Sequence, residues 1–166
     1  TEPGFEKVEV LETNENTHRP EGSRHYTMDS FDFGVSDLDM VLTFRNVHNF
    51  GAEGRAIMHR EAFNALKSGG VYGVVDHTRR HMESDNFENR RRIDPVLVIR
   101  EIQAAGFEFV GDSDVNQNAS DQPTADDIVW RLPPSLNGSK DDPEKRAAME
   151  AIGESDRMTL LFRKVD

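Results

Sequence analysis

Cysteine is absent from the 166 residues of this chain. That excludes disulfide bonds, thiolate metal sites and a cysteine nucleophile, and it leaves the redox compartment open. No run of 18 apolar residues exists, so no stretch reads as a membrane-spanning helix. Positive charge is scarce: 20 Lys and Arg face 31 Asp and Glu, for a net charge of −11. Duplex binding needs a cationic footprint, and the one triple of basic residues, Arg90-Arg91-Arg92, reads as a solvated lead-in to a helix. Neither a nucleic acid nor a membrane is expected as a partner. No secretory signal is visible, and the chain opens on Thr1, which leaves its natural start open.

What is present suffices for a single domain with one core. Its centre runs from Asp37 to Asp76. Met40 to Phe44 is a short apolar run, as expected of a parallel strand buried on both faces. It breaks into a polar cluster of Arg45, Asn46, His48 and Asn49. Glu53 to Lys67 reads as a helix with Ala56, Phe63 and Leu66 near one face, and Ser68-Gly69-Gly70 is expected to stop it. Val71 to Val75 is a second buried strand that ends in Asp76 and His77. Strand, helix and strand make a parallel crossover, and ligands in such sheets sit beyond the carboxyl ends of the strands. Both polar clusters fall there.

Downstream, Asp94-Pro95 opens a helix as N-cap and first residue, with Val98, Ile99, Ile102 and Ala105 buried and Gly106 as its end. Phe107 to Val110 reads as a strand, and Asp142-Pro143 begins a short helix over 143–152 that Gly153 stops. The connection 111–156 is long, polar and rich in turn residues, as lids and binding segments often are. His77 and His81 stand four apart, but a metal centre needs a third ligand and no metal site is expected. Residues 1–36 are the least defined part. Lys7 to Glu12 and Arg24 to Met28 are both candidate strands, with a loop over Thr13 to Gly22.

Asp37-Leu38-Asp39-Met40-Val41-Leu42-Thr43-Phe44-Arg45-Asn46-Val47-His48-Asn49, followed by Ala65-Leu66-Lys67-Ser68-Gly69-Gly70 and Val74-Val75-Asp76-His77, resembles the second half of a class I S-adenosylmethionine-dependent methyltransferase. More narrowly, it resembles a group of bacterial methyltransferases of unassigned substrate. Arg92-Ile93-Asp94-Pro95, Ala104-Ala105-Gly106-Phe107 and Ser155 to Lys164 continue the likeness, which covers Asp37 to the end apart from about 120–154. The resemblance implies an α/β, Rossmann-like sheet, mostly parallel, in one partial domain: a strand–helix core over 37–110, the long loop, and a last strand over 157–166. That last strand is expected to insert as an antiparallel partner between the two before it. One of the two candidate strands in 1–36 would be the family's third, placing either Glu12 at a strand end or Asp29 beside the adenine. The family's opening unit, a strand, a Gly-x-Gly turn and a helix, has no counterpart here: Gly4 stands alone, and Gly51 and Gly54 follow the wrong strand.

The resemblance implies S-adenosylmethionine as cofactor and a small-molecule acceptor. It points to His48 and His77 as catalytic, to Asp29, Arg45 and Asn46 on the cofactor, and to Asn49, Asp76 and Arg157 on the substrate. Where relatives carry Asp after the histidine of this motif, the chain has Asn49. An amide cannot hold an imidazole as a carboxylate does, so base catalysis by His48 lacks its expected support. The competing reading is a non-catalytic binding or assembly module that has lost the cofactor site and dimerises through an exposed sheet edge. A nicotinamide oxidoreductase is disfavoured, since it too needs the glycine turn. Some relatives carry secretion signals, which sets a periplasmic location beside the cytoplasmic default.

Overall fold

The computed structural model describes residues 3–4, 6–11, 16–79, 91–124 and 126–166. Two short strands, β1 (Asn16–His18) and β2 (Thr27–Ser30), pair antiparallel as a separate ribbon. The main sheet holds β3 (Leu38–Phe44), β4 (Leu66–His77), β5 (Phe107–Asp112) and β6 (Arg157–Lys164) in the order β3-β4-β6-β5. β3 and β4 run parallel, joined through α1 (Ala52–Ala65). β6 runs antiparallel to both of its neighbours, in the place the resemblance gives it. The other helices are α2 (Pro95–Ala104) and α3 (Pro143–Ile152).

Local chemistry sets the helix ends. The Asp94 side chain accepts from the Val96 amide at 2.8 Å, and the Asp142 side chain from the Lys145 amide at 2.9 Å. Each is followed by proline at the first helical position, where a missing N–H costs nothing. α1 ends differently from its expected stop. It gives way at Leu66 directly to β4, and Ser68-Gly69-Gly70 lies inside that strand. The glycines instead make an irregularity: pairing jumps from Leu38↔Leu66 to Met40↔Val71, and Gly69 takes φ +74°, a conformation open to a residue without Cβ. The last carbonyls of α1 are served by a distant side chain. Lys164 Nζ donates to Phe63 O at 2.8 Å and to Leu66 O at 2.7 Å.

One face of the sheet carries the core. Val41, Tyr72, Val74, Leu160 and Phe162 pack beneath α1 and α2, against Met58, Ala62, Val98 and Ile102. The buried face of α1 is Arg55, Met58, His59, Ala62 and Ala65, rather than one built on the exposed Ala56. Arg55 reaches α2 through a bidentate pair with Glu101 at 2.7 and 2.8 Å. His59 shares a hydrogen bond with the Tyr72 hydroxyl at 3.2 Å.

The opposite face is bare. Met40, Leu42 and Phe44 are 52%, 52% and 61% exposed, where burial on both faces was expected. Among the described residues no helix or strand covers that side of β3 or pairs with its outer edge. Leu42, Phe44, Val75, Val110 and Leu161 therefore line an open apolar groove of about 410 Å³. Neither candidate strand of residues 1–36 fills the gap. β2 pairs with β1, which lies inside the stretch expected to be loop, and meets the rest through buried Met28 against α1 and an isolated Tyr26↔Phe50 bridge beside it. Residues 8–11 form no strand, and Glu12 lies outside the described residues.

Two outcomes follow. Phe162→Ala, at a fully buried site, should cost about 3–5 kcal/mol in urea unfolding, whereas Leu42→Ser should cost about 0.5 kcal/mol or less. Burial, helped by the Arg55 charge, depresses the His59 pKa from 6.5 to about 3. Its neutral ring therefore favours the fold fully above about pH 6.5, and that contribution is lost as pH falls toward 3. The groups facing it are Tyr72 from β4, Arg55 from its own helix and, through Arg55, Glu101 from α2. Between about pH 7 and 5 the slope from this ring approaches about 1.4 kcal/mol per pH unit, and His59→Gln should remove that share.

Candidate functional site

The polar clusters that end β3 and β4 meet at one place. Hydrogen bonding between the strands continues past β3, the Arg45 amide donating to Val75 O at 2.7 Å. Arg45 itself turns into the left-handed region at φ +53°, a strained conformation for a residue with Cβ. The chain then winds through one 3₁₀ turn, Val47–Asn49, which carries His48 inward to 2% exposure.

Beneath it lies the Asp76 carboxylate, fully buried at the end of β4. It accepts from the His48 amide at 3.1 Å, from His48 Nδ1 at 2.6 Å and from the His77 amide at 2.7 Å. A carboxylate can only accept, so the His48 ring carries its proton on Nδ1 and keeps Nε2 free for a ligand. The support missing at Asn49 is thus supplied from β4. The His77 ring lies 5.1 Å from that of His48, between centroids, and shares a 2.6 Å hydrogen bond with Ser155 Oγ. Burial first, with the Arg92 and Arg45 charges nearby, holds His77 down to about 3, which leaves its imidazole neutral.

Above the two rings is a cavity of about 270 Å³. Phe44, Arg45, His48, Asn49 and His77 form one side, and Val129, Trp130 and Leu132 to Ser135 with Ser155 the other. The long connection thus folds back as a wall. A second buried carboxylate, Asp121, pins it there: it pairs with Arg92 at 2.7 Å, receives the Asp156 amide at 2.8 Å and lies 3.6 Å from Arg131.

The remaining expected residues scatter. Asn46 and Asn49 bond each other at 3.2 Å and border a neighbouring hollow of about 450 Å³ with Arg19, Tyr26, Arg91 and Trp130. Asn49 Oδ1 accepts from Arg91 at 2.9 Å, and the Arg91 guanidinium lies 5.3 Å over the Trp130 ring. Asp29 sits on the exposed β1–β2 ribbon, bonded to Asn16. Arg157 pairs with Glu154 at 2.6 Å and faces a different depression beside Thr159. His81 lies outside the described residues. Asp127, in the long loop, pairs with Arg131 at 3.3 Å. Sequence reasoning assigned no role to Ser155, Trp130 or Arg91. Only the place of Ser155 in the Ser155–Lys164 motif drew attention to it.

No protein-family model matches this sequence, and no curated protein matches it. Among solved structures the chain is similar to SpnF, a (4+2)-cyclase, at 20% identity and a TM-score of 0.51, covering 79% of this chain and 51% of that one. It is also similar to a chain described as a methyltransferase, solved in complex with the Haloferax volcanii Trm112 methyltransferase activator. That match has 13% identity and a TM-score of 0.50, over 81% of this chain and 58% of the other. The chain thus spans little more than half the length of the structures it matches. Its fold is class I methyltransferase-like, α/β and incomplete.

S-adenosylmethionine in such a fold calls for a glycine-rich turn that opens a helix after the first strand. Gly51, at the cap of α1, and Gly54, in its first turn, follow β3 instead, and the Cβ position of Gly54 is already met by Met28 and Phe50 at 3.3 Å. The described residues do not by themselves fit the cofactor.

Asp76→Asn should separate the two jobs of this carboxylate. One of its three donors loses an acceptor, at a cost of about 1–3 kcal/mol in denaturant unfolding. With the amide oxygen kept at the Oδ1 position, only the His48 amide loses its acceptor, so ¹⁵N spectra should show the His48 proton still on Nδ1.

Proposed function

We propose that this chain is the acceptor-side part of a methyltransferase that draws on S-adenosylmethionine and modifies a small molecule. The observation that carries this reading is the cavity at the carboxyl ends of β3 and β4, floored by His48 and His77. In-line methyl transfer asks a protein to align two partners and exclude water. Phe44, Trp130, Leu132 and Pro133 offer the acceptor an apolar enclosure, and Arg45 and Asn49 a polar mouth. His48 Nε2, its ring held by Asp76, receives the hydrogen bond of the acceptor's nucleophilic group. Ser155 holds the His77 ring beside it.

The remainder of the cofactor site comes, in this reading, from a strand-and-helix unit beyond the described residues. It docks along the outer edge of β3 and over Leu42, Phe44 and Leu161. The share of the matched structures left uncovered, 49% of SpnF by difference from the 51% matched, is ample for such a unit. A second reading, the non-catalytic assembly module, draws on the same bare face: two copies meeting at β3 would cover it without any cofactor.

The test is calorimetric titration with S-adenosylhomocysteine of the protein as encoded, including whatever adjoins these residues, with its mass measured by light scattering. One equivalent bound at about micromolar affinity, within the ordinary range for metabolite sites, is the expected result. A folded protein that takes up none, and is dimeric, would end the methyltransferase reading in favour of the second.

A further inference from the structure

His48, Asp76 and His77 do more than floor the cavity. A ligand atom from each lies within 4.8 Å of the other two, and the residues are 2%, 0% and 6% exposed. Two imidazoles and a carboxylate are a donor set suited to first-row divalent ions. The sequence offered only the His77–His81 spacing. The second and third donors come instead from the turn after β3 and from the residue beside His77, groups that only the folded sheet brings together.

The geometry points to a divalent metal site of the zinc or cobalt kind formed by His48, Asp76 and His77, open toward the cavity.

The surroundings fit that assignment. Ligands of catalytic metal centres are held by outer hydrogen bonds that fix their orientation. Here the His48 and His77 amides anchor Asp76, and Ser155 Oγ holds His77 Nδ1. Bonds of about 2.0–2.2 Å require the donors to draw closer than they now stand, and the ion takes the place of the proton that His48 Nδ1 shares with Asp76, which is released to solvent. Three protein ligands leave a coordination position vacant, as catalytic rather than structural sites do, and two of the three, His48 and His77, line the cavity. One carboxylate against two positive charges leaves the centre cationic, and among the described residues no Asp or Glu lines the cavity. The vacant position therefore suits an oxygen donor. With Phe44, Trp130, Leu132 and Pro133 around it, the matching molecule is apolar in body and carries a hydroxyl. That last step rests on the acceptor-side reading above; the metal site itself does not.

The test is titration of the metal-free protein, as encoded, with Co²⁺, followed by visible absorption and calorimetry. One equivalent with ligand-field bands is expected. His48→Gln and His77→Gln, which keep bulk and polarity, should each weaken binding about tenfold or more. His18→Gln, on the exposed β1–β2 ribbon, should leave it unchanged. Absence of saturable binding, or equal binding in both site variants with circular dichroism unaltered, would overturn the proposal. S-adenosylhomocysteine uptake is a separate readout: uptake without cobalt binding defeats the metal site alone, and cobalt binding without uptake defeats the methyltransferase reading alone.

Discussion

A carboxylate with no exposed surface at the end of β4 governs this structure. Burying Asp76 is costly unless each lone pair is used, and its three donors come from two segments: the amide and ring of His48, and the amide of His77. Those bonds fix where the chain must go after β3. They draw the 3₁₀ turn inward over the strand ends, and Arg45, at φ +53°, absorbs the bend. The same bonds decide which nitrogen of His48 remains for a ligand. Fold and site are here one set of hydrogen bonds, and loosening Asp76 would release both.

A second buried carboxylate closes the other side. Asp121 holds Arg92, at the approach to α2, and the Asp156 amide, at the approach to β6. The connection between β5 and β6 is thereby stapled at points far apart in sequence. Removing one member of such a buried pair commonly costs about 3–5 kcal/mol, because the partner charge is stranded. The cavity wall over 129–135 is accordingly an anchored structure, although its composition reads as an irregular polar loop.

What could be read in the sequence was the chemistry that is local. Asp94-Pro95 and Asp142-Pro143 place helix starts because cap and first turn lie within four residues, and β6 was legible through its likeness to the family. The strand-end positions of His48, Asp76 and His77 were legible as well, since each closes an apolar run. Their contacts were not. Asp76 and His48 are 28 residues apart, His77 and Ser155 78, and no periodicity reports a pairing at that range. The glycines after Lys67 misled for a related reason: the motif serves a helix stop or a strand irregularity equally, and Lys164, from the last strand, supplies the cap they would have given.

The bare face carries an argument of its own. A sheet meant to meet water on one side alternates apolar and polar residues, and β3 and β4 do not. Leu42, Phe44, Val71 and Val75 are apolar on the uncovered side, while charge there is confined to flanking positions such as Glu108 and Arg163. Exposed apolar surface of this extent marks a place of contact, and an open edge strand beside it adds unpaired backbone donors and acceptors. Both features fall on the β3 side. The floor and wall of the cavity, by contrast, are held entirely by groups within the chain. The division therefore runs along β3: on one side a cavity held by two buried carboxylates, and on the other an apolar surface left open among the described residues.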